Sequence, residues 1–197
     1  MNKPTILATL VLLLVISGCA TTTKYPKMFD YKNSQNGIMY GTVTYEGEYS
    51  GYRVFYKGEG GTNKGWVQTG EKISWTFPES FLHRYGIEGD VFAVELAPGK
   101  YTFYWWWVGS GLPEIGATSK FDIQIEVLPQ TLSYVGNFNF VQTMSQGLTV
   151  TGVDVNYSDF FDRDTKYLLQ KYSNFEGIAI SKQIQDGYLV KNLGENY

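Results

Sequence analysis

Alternation of apolar and polar residues is what most limits how this chain can fold. In Phe121-Asp122-Ile123-Gln124-Ile125-Glu126-Val127 every second residue is apolar without a fault. Successive side chains of an extended strand point to opposite faces, so this period of two defines one core face and one wet face. Ile38 to Tyr45, Tyr52 to Lys57, Trp66 to Gln68, Glu71 to Phe77 and Leu148 to Val155 read as further strands. Leu132, Tyr134, Gly136, Phe138 and Phe140 share one face of another. The 16 Tyr, 12 Phe and 5 Trp suit pleated, half-buried surfaces, and 22 Gly punctuate the chain.

A hairpin is expected where Val91 to Leu96 enters Ala97-Pro98-Gly99-Lys100 and Tyr101 to Val108 leaves. Pro at the second turn position and Gly at the third specify a type II turn. Only Ser158 to Asn174 leaves the pattern. Phe160, Phe161, Tyr167, Leu168, Leu169 and Tyr172 fall near helical spacing, with Asp159, Asp162 and Asp164 early and Lys171 late. Acidic residues favour a helix N-terminus and cations its C-terminus, so one helix is expected, starting between Asp159 and Asp164. A short strand is expected at Ile178 to Ile180. Turns every 8 to 12 residues, a spacing of roughly that order being usual for sandwiches, predict a mainly β, antiparallel Ig-like or prealbumin-like β-sandwich with one C-terminal α-helix. The expected organisation is a sandwich over residues 38–157 and a helix and tail over 158–197 packed on or beside it.

Val94-Glu95-Leu96-Ala97-Pro98-Gly99-Lys100-Tyr101, the strand Phe121 to Val127, and Tyr134-Val135-Gly136 carry a resemblance. They resemble the pattern of small exported bacterial domains with a prealbumin-like or carboxypeptidase-regulatory-like sandwich. Several of those are lipoproteins of uncharacterised function. The resemblance covers residues 38–155, and its motifs imply a fold and no activity.

The N-terminus points the same way. Lys3 precedes an apolar run from Ile6 to Ile16, interrupted only by Thr9. The run is shorter than the roughly 20 residues a bilayer-spanning helix needs, and it fits the hydrophobic region of a signal peptide over residues 1–18. Ile16-Ser17-Gly18-Cys19 resembles the bacterial lipobox. That resemblance implies acylation of the Cys19 thiol, cleavage between Gly18 and Cys19, and attachment to membrane lipid. Multiple acyl chains anchor stably where one does not. In Gram-negative lipoproteins an Asp after the cysteine retains the protein at the inner membrane. Ala20 therefore resembles the outer-membrane class, facing the periplasm. Residues 19–37 are polar and aperiodic and read as a lipidated tether. Cys19 is the only cysteine, so no disulfide can form within the chain and stability rests on burial and strand pairing.

Reactive groups are scarce. His83 is the only histidine and lies outside any nucleophile-elbow pattern. A zinc site needs several Cys or His ligands, which the chain does not supply. Gly58 to Gly65 lacks the Gly-Lys-Ser/Thr ending of a phosphate-binding loop. Asp154, Asp159, Asp162 and Asp164 are close in sequence but do not match a calcium loop, and helix capping explains them more simply. A glycosidase would need a carboxylate pair such as Glu95 with Glu114, but nothing in the sequence singles that pair out. With 16 basic and 19 acidic residues and no basic cluster, nucleic acid is not an expected partner. No catalytic residue, metal or cofactor is assigned, and the chain is expected not to be an enzyme.

The run Tyr104-Trp105-Trp106-Trp107 is the feature most suggestive of binding. On a regular strand Trp105 and Trp107 join the core with Phe103, and Tyr104 and Trp106 project outward. Exposed aromatics of this size call for a cover. Two covers fit: the C-terminal helix through Phe160, Phe161 and Leu168, or a ligand such as a glycan, a peptidoglycan strand or a protein partner. The expected function is a membrane-anchored, non-enzymatic accessory or binding lipoprotein of the cell envelope using Tyr104 and Trp106. The alternatives are an interaction subunit of an envelope assembly and, third, a hydrolase.

Overall fold

A computed structural model describes residues 34–71 and 80–195. The expected signal peptide, Gly18, Cys19, most of the tether, and the strand residues Lys72 to Phe77 lie outside the described residues.

Two sheets pack face to face. The first contains β1 (Gly37–Glu46), β4 (Gly89–Leu96), β8 (Thr131–Gln146), β9 (Thr149–Ser158), β10 (Ala179–Lys182) and β11 (Leu189–Val190). Its order is β11-β9-β8-β1-β4, and β10 continues the β9 edge of β8. The second contains β2 (Gly51–Gly58), β3 (Gly65–Thr69), β5 (Gly99–Gly109), β6 (Glu114–Gly116) and β7 (Ile123–Val127). Its order is β3-β2-β5-β6, with β7 sharing the far edge of β5. The single α-helix among the described residues, α1 (Phe161–Lys171), lies on the first sheet against β1, β4 and β8. The mainly β sandwich with one helix is as expected.

Three expectations about local geometry are corrected. First, the sheets are not wholly antiparallel, because β8 runs parallel to both β1 and β10. Second, β4 and β5 do not form a hairpin. β4 pairs with β1 in one sheet, and β5 pairs with β2, β6 and β7 in the other. The Pro98-Gly99 turn is therefore an arch between layers, with Gly99 at φ +145°. Turn chemistry reports the reversal of the chain, but not whether the two arms bond to each other. Third, Leu132 to Phe140 does not keep one face. Tyr134 pairs with Tyr40, but Asn137, not Gly136, pairs with Thr42. Val135 and Gly136 together oppose Gly41, and this bulge, with Gly136 at φ +99°, swaps the faces.

Aromatic rings build the core between the sheets. Tyr45 stacks on Tyr52 with centroids 4.8 Å apart, Phe103 meets Phe138 at 4.9 Å, and Trp106 meets Phe140 edge-on at 6.0 Å. Val43, Val54, Val67, Val108 and Val127 fill between them and are fully buried. A fully buried side chain of this size contributes about 1.5–3 kcal/mol.

The last residues of the expected tether are folded onto this body. Ser34 Oγ and Asn36 Nδ2 both donate to Glu95 Oε1, at 3.1 and 2.8 Å. The described chain thus begins at the pole of the sandwich that carries the Pro98 arch.

Candidate functional site

The outward faces of the two sheets differ in kind, and the difference begins in the strands. On β1, residues 38, 40, 42 and 44 point away from the core, and Tyr40, Thr42 and Thr44 are all buried. The helix covers them. Its inward stripe of Phe161, Asp164, Thr165 and Leu168 has helical spacing. Asp164 is completely buried and accepts from Thr42 Oγ1 and Tyr134 OH at 2.9 Å each and from Arg163 Nε at 2.8 Å. Tyr40 OH and Thr165 Oγ1 lie 2.8 Å apart. Burial raises the Asp164 pKa above the ordinary carboxylate value, and Arg163, Tyr134 and Thr42 offset part of that rise. Burial beside Asp164 likewise pushes up the Tyr134 hydroxyl.

Beyond the helix N-terminus the same polar face continues into a cleft of about 390 Å³. Thr44, Glu46, Glu88, Asn137, Asn139 and Arg163 are among its walls. Asn137 Nδ2 donates to Thr42 and Thr44, and Asn139 Nδ2 donates to Glu46, so these polar groups are tied to one another. Tyr45, Ile87 and Phe160 also line it, so the cleft is mixed in character.

The second sheet presents aromatics instead. The sequence reading of its central strand is corrected by one residue. Phe55 pairs with Trp105, but Tyr56 pairs with Phe103, so Tyr104 is an extra residue bulged out of β5. Before the bulge Tyr101 and Phe103 face the core; after it, Trp106 and Val108 do. Trp106 is only 4% exposed and donates through Nε1 to Leu193 O, so it is a core residue and not an outward one. Its cover is the C-terminal tail, not the helix, which lies on the other sheet. Trp105 and Trp107, expected in the core, are the outward pair. Tyr104 is outward and half-buried, as expected.

Trp105 and Trp107 join Phe55 and Trp66 on that surface, all half-buried. Phe55 is central, with its ring 5.5 Å from Trp105, 6.2 Å from Trp66 and 6.5 Å from Tyr104. The Arg53 guanidinium lies over both Trp66 and Trp107, at 5.2 and 4.7 Å from the ring centroids. Lys57 Nζ lies 5.1 Å from the Tyr104 centroid. Cations placed this way are attracted by the negative faces of the rings. Donor bonds fix the indoles: Trp105 Nε1 bonds Ala117 O and Trp66 Nε1 bonds Gln68 Oε1, each at 2.9 Å. Gln68 Oε1 also accepts from Arg53 Nε at 2.8 Å.

The remaining sequence candidates are not brought together. His83 is exposed and its Nδ1 lies 2.6 Å from Glu88 Oε1. Glu95 sits at the arch pole, whereas Glu114 pairs with Gly109 at the far end of β5. Asp159 is bound by Lys182 and by the Phe161 and Gly187 amides, and it shares no hydrogen-bond partner with Asp164. Burial opposes ionisation of Asp159, but the Lys182 and amide hydrogen bonds prevail and hold its pKa low. Among the described residues no group of three or more His, Cys, Asp or Glu could hold a metal ion, and no helix is long and apolar enough to cross a membrane.

Sequence reasoning missed Phe55, Trp66 and Arg53, which reach this face from two other strands. Alternation in Tyr52 to Lys57 signals that Arg53, Phe55 and Lys57 share a face, but not which sheet they meet. Compared with known proteins, the chain matches no protein-family model, no curated protein and no solved structure.

Proposed function

We propose that this chain is a lipid-anchored envelope protein whose sandwich is a non-enzymatic binding module acting through the outward face of the second sheet. The observation that carries the reading is the contrast between the two outer faces. One is closed by α1 over a hydrogen-bonded polar layer, and the other presents Phe55, Trp66, Tyr104, Trp105 and Trp107 with Arg53 and Lys57 among them. Trp, Tyr and Arg are the side chains that concentrate binding energy at interfaces. The lipobox-like Ile16 to Cys19 supports anchoring by acyl chains, and Ala20 supports an outer-membrane address facing the periplasm.

Two measurements test the two halves. Cys19→Ser should abolish labelling with a palmitate analogue and move the protein from the membrane to the soluble fraction. A protein that stays acylated and membrane-bound ends the anchoring half. A photocrosslinking residue at position 105 should capture an envelope component in cells, and one at Lys166, on the helix-covered side, should not. Equal capture from both positions ends the choice of face.

A further inference from the structure

We propose that the outward face of the second sheet is a stacking platform for an acidic oligosaccharide, an inference that rests on the binding-module reading and names its ligand. The first argument is the attitude of the indoles. A Cβ built on Gly116 would come within 2.6 Å of the Trp105 benzo ring, and one built on Gly109 within 2.2 Å of that of Trp107. The two glycines clear the space into which the rings fold. The Trp105 and Trp107 rings therefore lie along the sheet over the two glycines, that of Trp107 beneath the Arg53 guanidinium. A flat face suits the C–H groups of a pyranose ring, whereas a side chain that wedges into a bilayer must stand up from its surface.

The second argument is preorganisation. Bonds from Trp105 Nε1 to Ala117 O and from Trp66 Nε1 to Gln68 Oε1 hold the rings before any ligand arrives. Little rotamer freedom is then left to lose on binding. The third is extent. Trp66 on β3 and Trp105 on β5 are separated by β2, two strand spacings or about 10 Å. That is the reach of a disaccharide unit, with Phe55 between the two.

Charge selects among sugars. The chain carries a formal net charge of −3, yet the side chains interleaved with these rings are Arg53 and Lys57. The carboxylates of this sheet, Glu114 and Glu126, lie on β6 and β7 along its other edge. A glycan bearing carboxylates complements the platform centre and is repelled from that edge, which orients it across β3, β2 and β5.

The test titrates the purified full-length protein, in detergent, with three probes while following tryptophan fluorescence. They are a uronic-acid hexasaccharide, a neutral glucose hexasaccharide and phosphatidylglycerol vesicles. The acidic hexasaccharide should bind, and Trp105→Ala and Trp66→Ala should each weaken it by about tenfold, roughly 1.4 kcal/mol. Lys57→Gln, at a half-buried edge of the platform, should weaken the acidic probe several-fold, with an unaltered melting temperature as the check on folding. Equal binding of the neutral and acidic probes overturns the charge selection. Vesicle binding that Trp105→Ala abolishes, with binding of neither sugar, overturns the glycan in favour of lipid. If no probe binds, but the crosslinker at position 105 still captures a protein in cells, the glycan inference fails and the binding-module reading stands. If neither occurs, both fail.

Discussion

The two sheets use the same backbone device to opposite ends. Each has a face-switching bulge in its central strand: Val135-Gly136 opposite Gly41 in the first sheet, Tyr104 opposite the Phe55–Tyr56 step in the second. A single extra residue exchanges the faces of everything beyond it. In the first sheet Tyr134, before the bulge, faces α1, Phe138 and Phe140, after it, face the core, and Asn137 and Asn139 point outward and bond Thr42, Thr44 and Glu46. In the second it turns Trp106 inward and leaves Trp105 and Trp107 outside on glycine clearings. One outer face is thus closed by α1 over a polar layer, and the other carries a half-buried aromatic cluster.

The sharpest way to break this comparison is to truncate neighbouring tryptophans. Trp106→Ala removes a core ring and its bond to Leu193 O, and it should cost about 3–5 kcal/mol. Trp105→Ala removes a half-buried surface ring and should cost about 1 kcal/mol. Urea denaturation of the two variants decides. If Trp105→Ala is the more damaging, the bulge is misplaced and the aromatic face is built from the other alternate residues.

The closed face should fail through its charge. Asp164→Ala leaves the Arg163 guanidinium beside a buried layer without its counter-ion and strips Thr42 and Tyr134 of their acceptor, a loss of about 3 kcal/mol or more. Asp164→Asn keeps an acceptor oxygen and should cost less, about 1–3 kcal/mol. The matched substitution on the aromatic face, Lys57→Ala, should change stability by no more than about 0.5 kcal/mol. Chemical denaturation in one buffer compares all three.

Gly136→Ala tests the bulge itself. Its Cβ would fall 2.7 Å from the Tyr157 ring at a backbone φ of +99°, so steric overlap and strain act together. A loss of about 1–3 kcal/mol is expected, read as a lowered midpoint without a changed slope. Gly86→Ala is a control at φ +72°, with nothing within 4 Å, and isolates the backbone contribution.

Much of the fold was legible because burial imposes a period on sequence. The strand Ile123–Val127 within the alternating Phe121 to Val127 run and the helix follow from spacing; which of the aromatic residues face the core does not. Bulges were not legible, since an inserted residue leaves no local mark: Tyr104 looks like its neighbours, and only pairing with Phe55 and Tyr56 identifies it as extra. The same blindness hid the partner of β5, because the Pro98-Gly99 turn is the same chemistry in an arch as in a hairpin. Asp164 was read as a helix-start carboxylate. Its place three residues after Phe161 and four before Leu168 puts it on the inward stripe, and that spacing was the available signal of its burial.

The smallest effect should appear in the pH dependence, where the two aspartates near the start of α1 act in opposite directions. Burial raises the folded-state pKa of Asp164 above its unfolded value near 3.9. The folded state then holds its proton more tightly than the unfolded state. Its contribution is fully present below about pH 4 and is lost as pH rises through the raised value. Asp159 is held low by the Lys182 and amide hydrogen bonds, so its contribution is present above about pH 4 and is lost as pH falls through the lowered value. Stability measured from pH 3 to 7 sums both slopes. Asp164→Asn should remove the decline on the alkaline side of pH 4, and Asp159→Asn the decline on the acid side. If Asp164→Asn leaves the profile unchanged, that carboxylate does not titrate in the closed layer. Asp164 would then keep one protonation state across the range, and the closed layer, like the other outer face, would contribute nothing to the pH dependence.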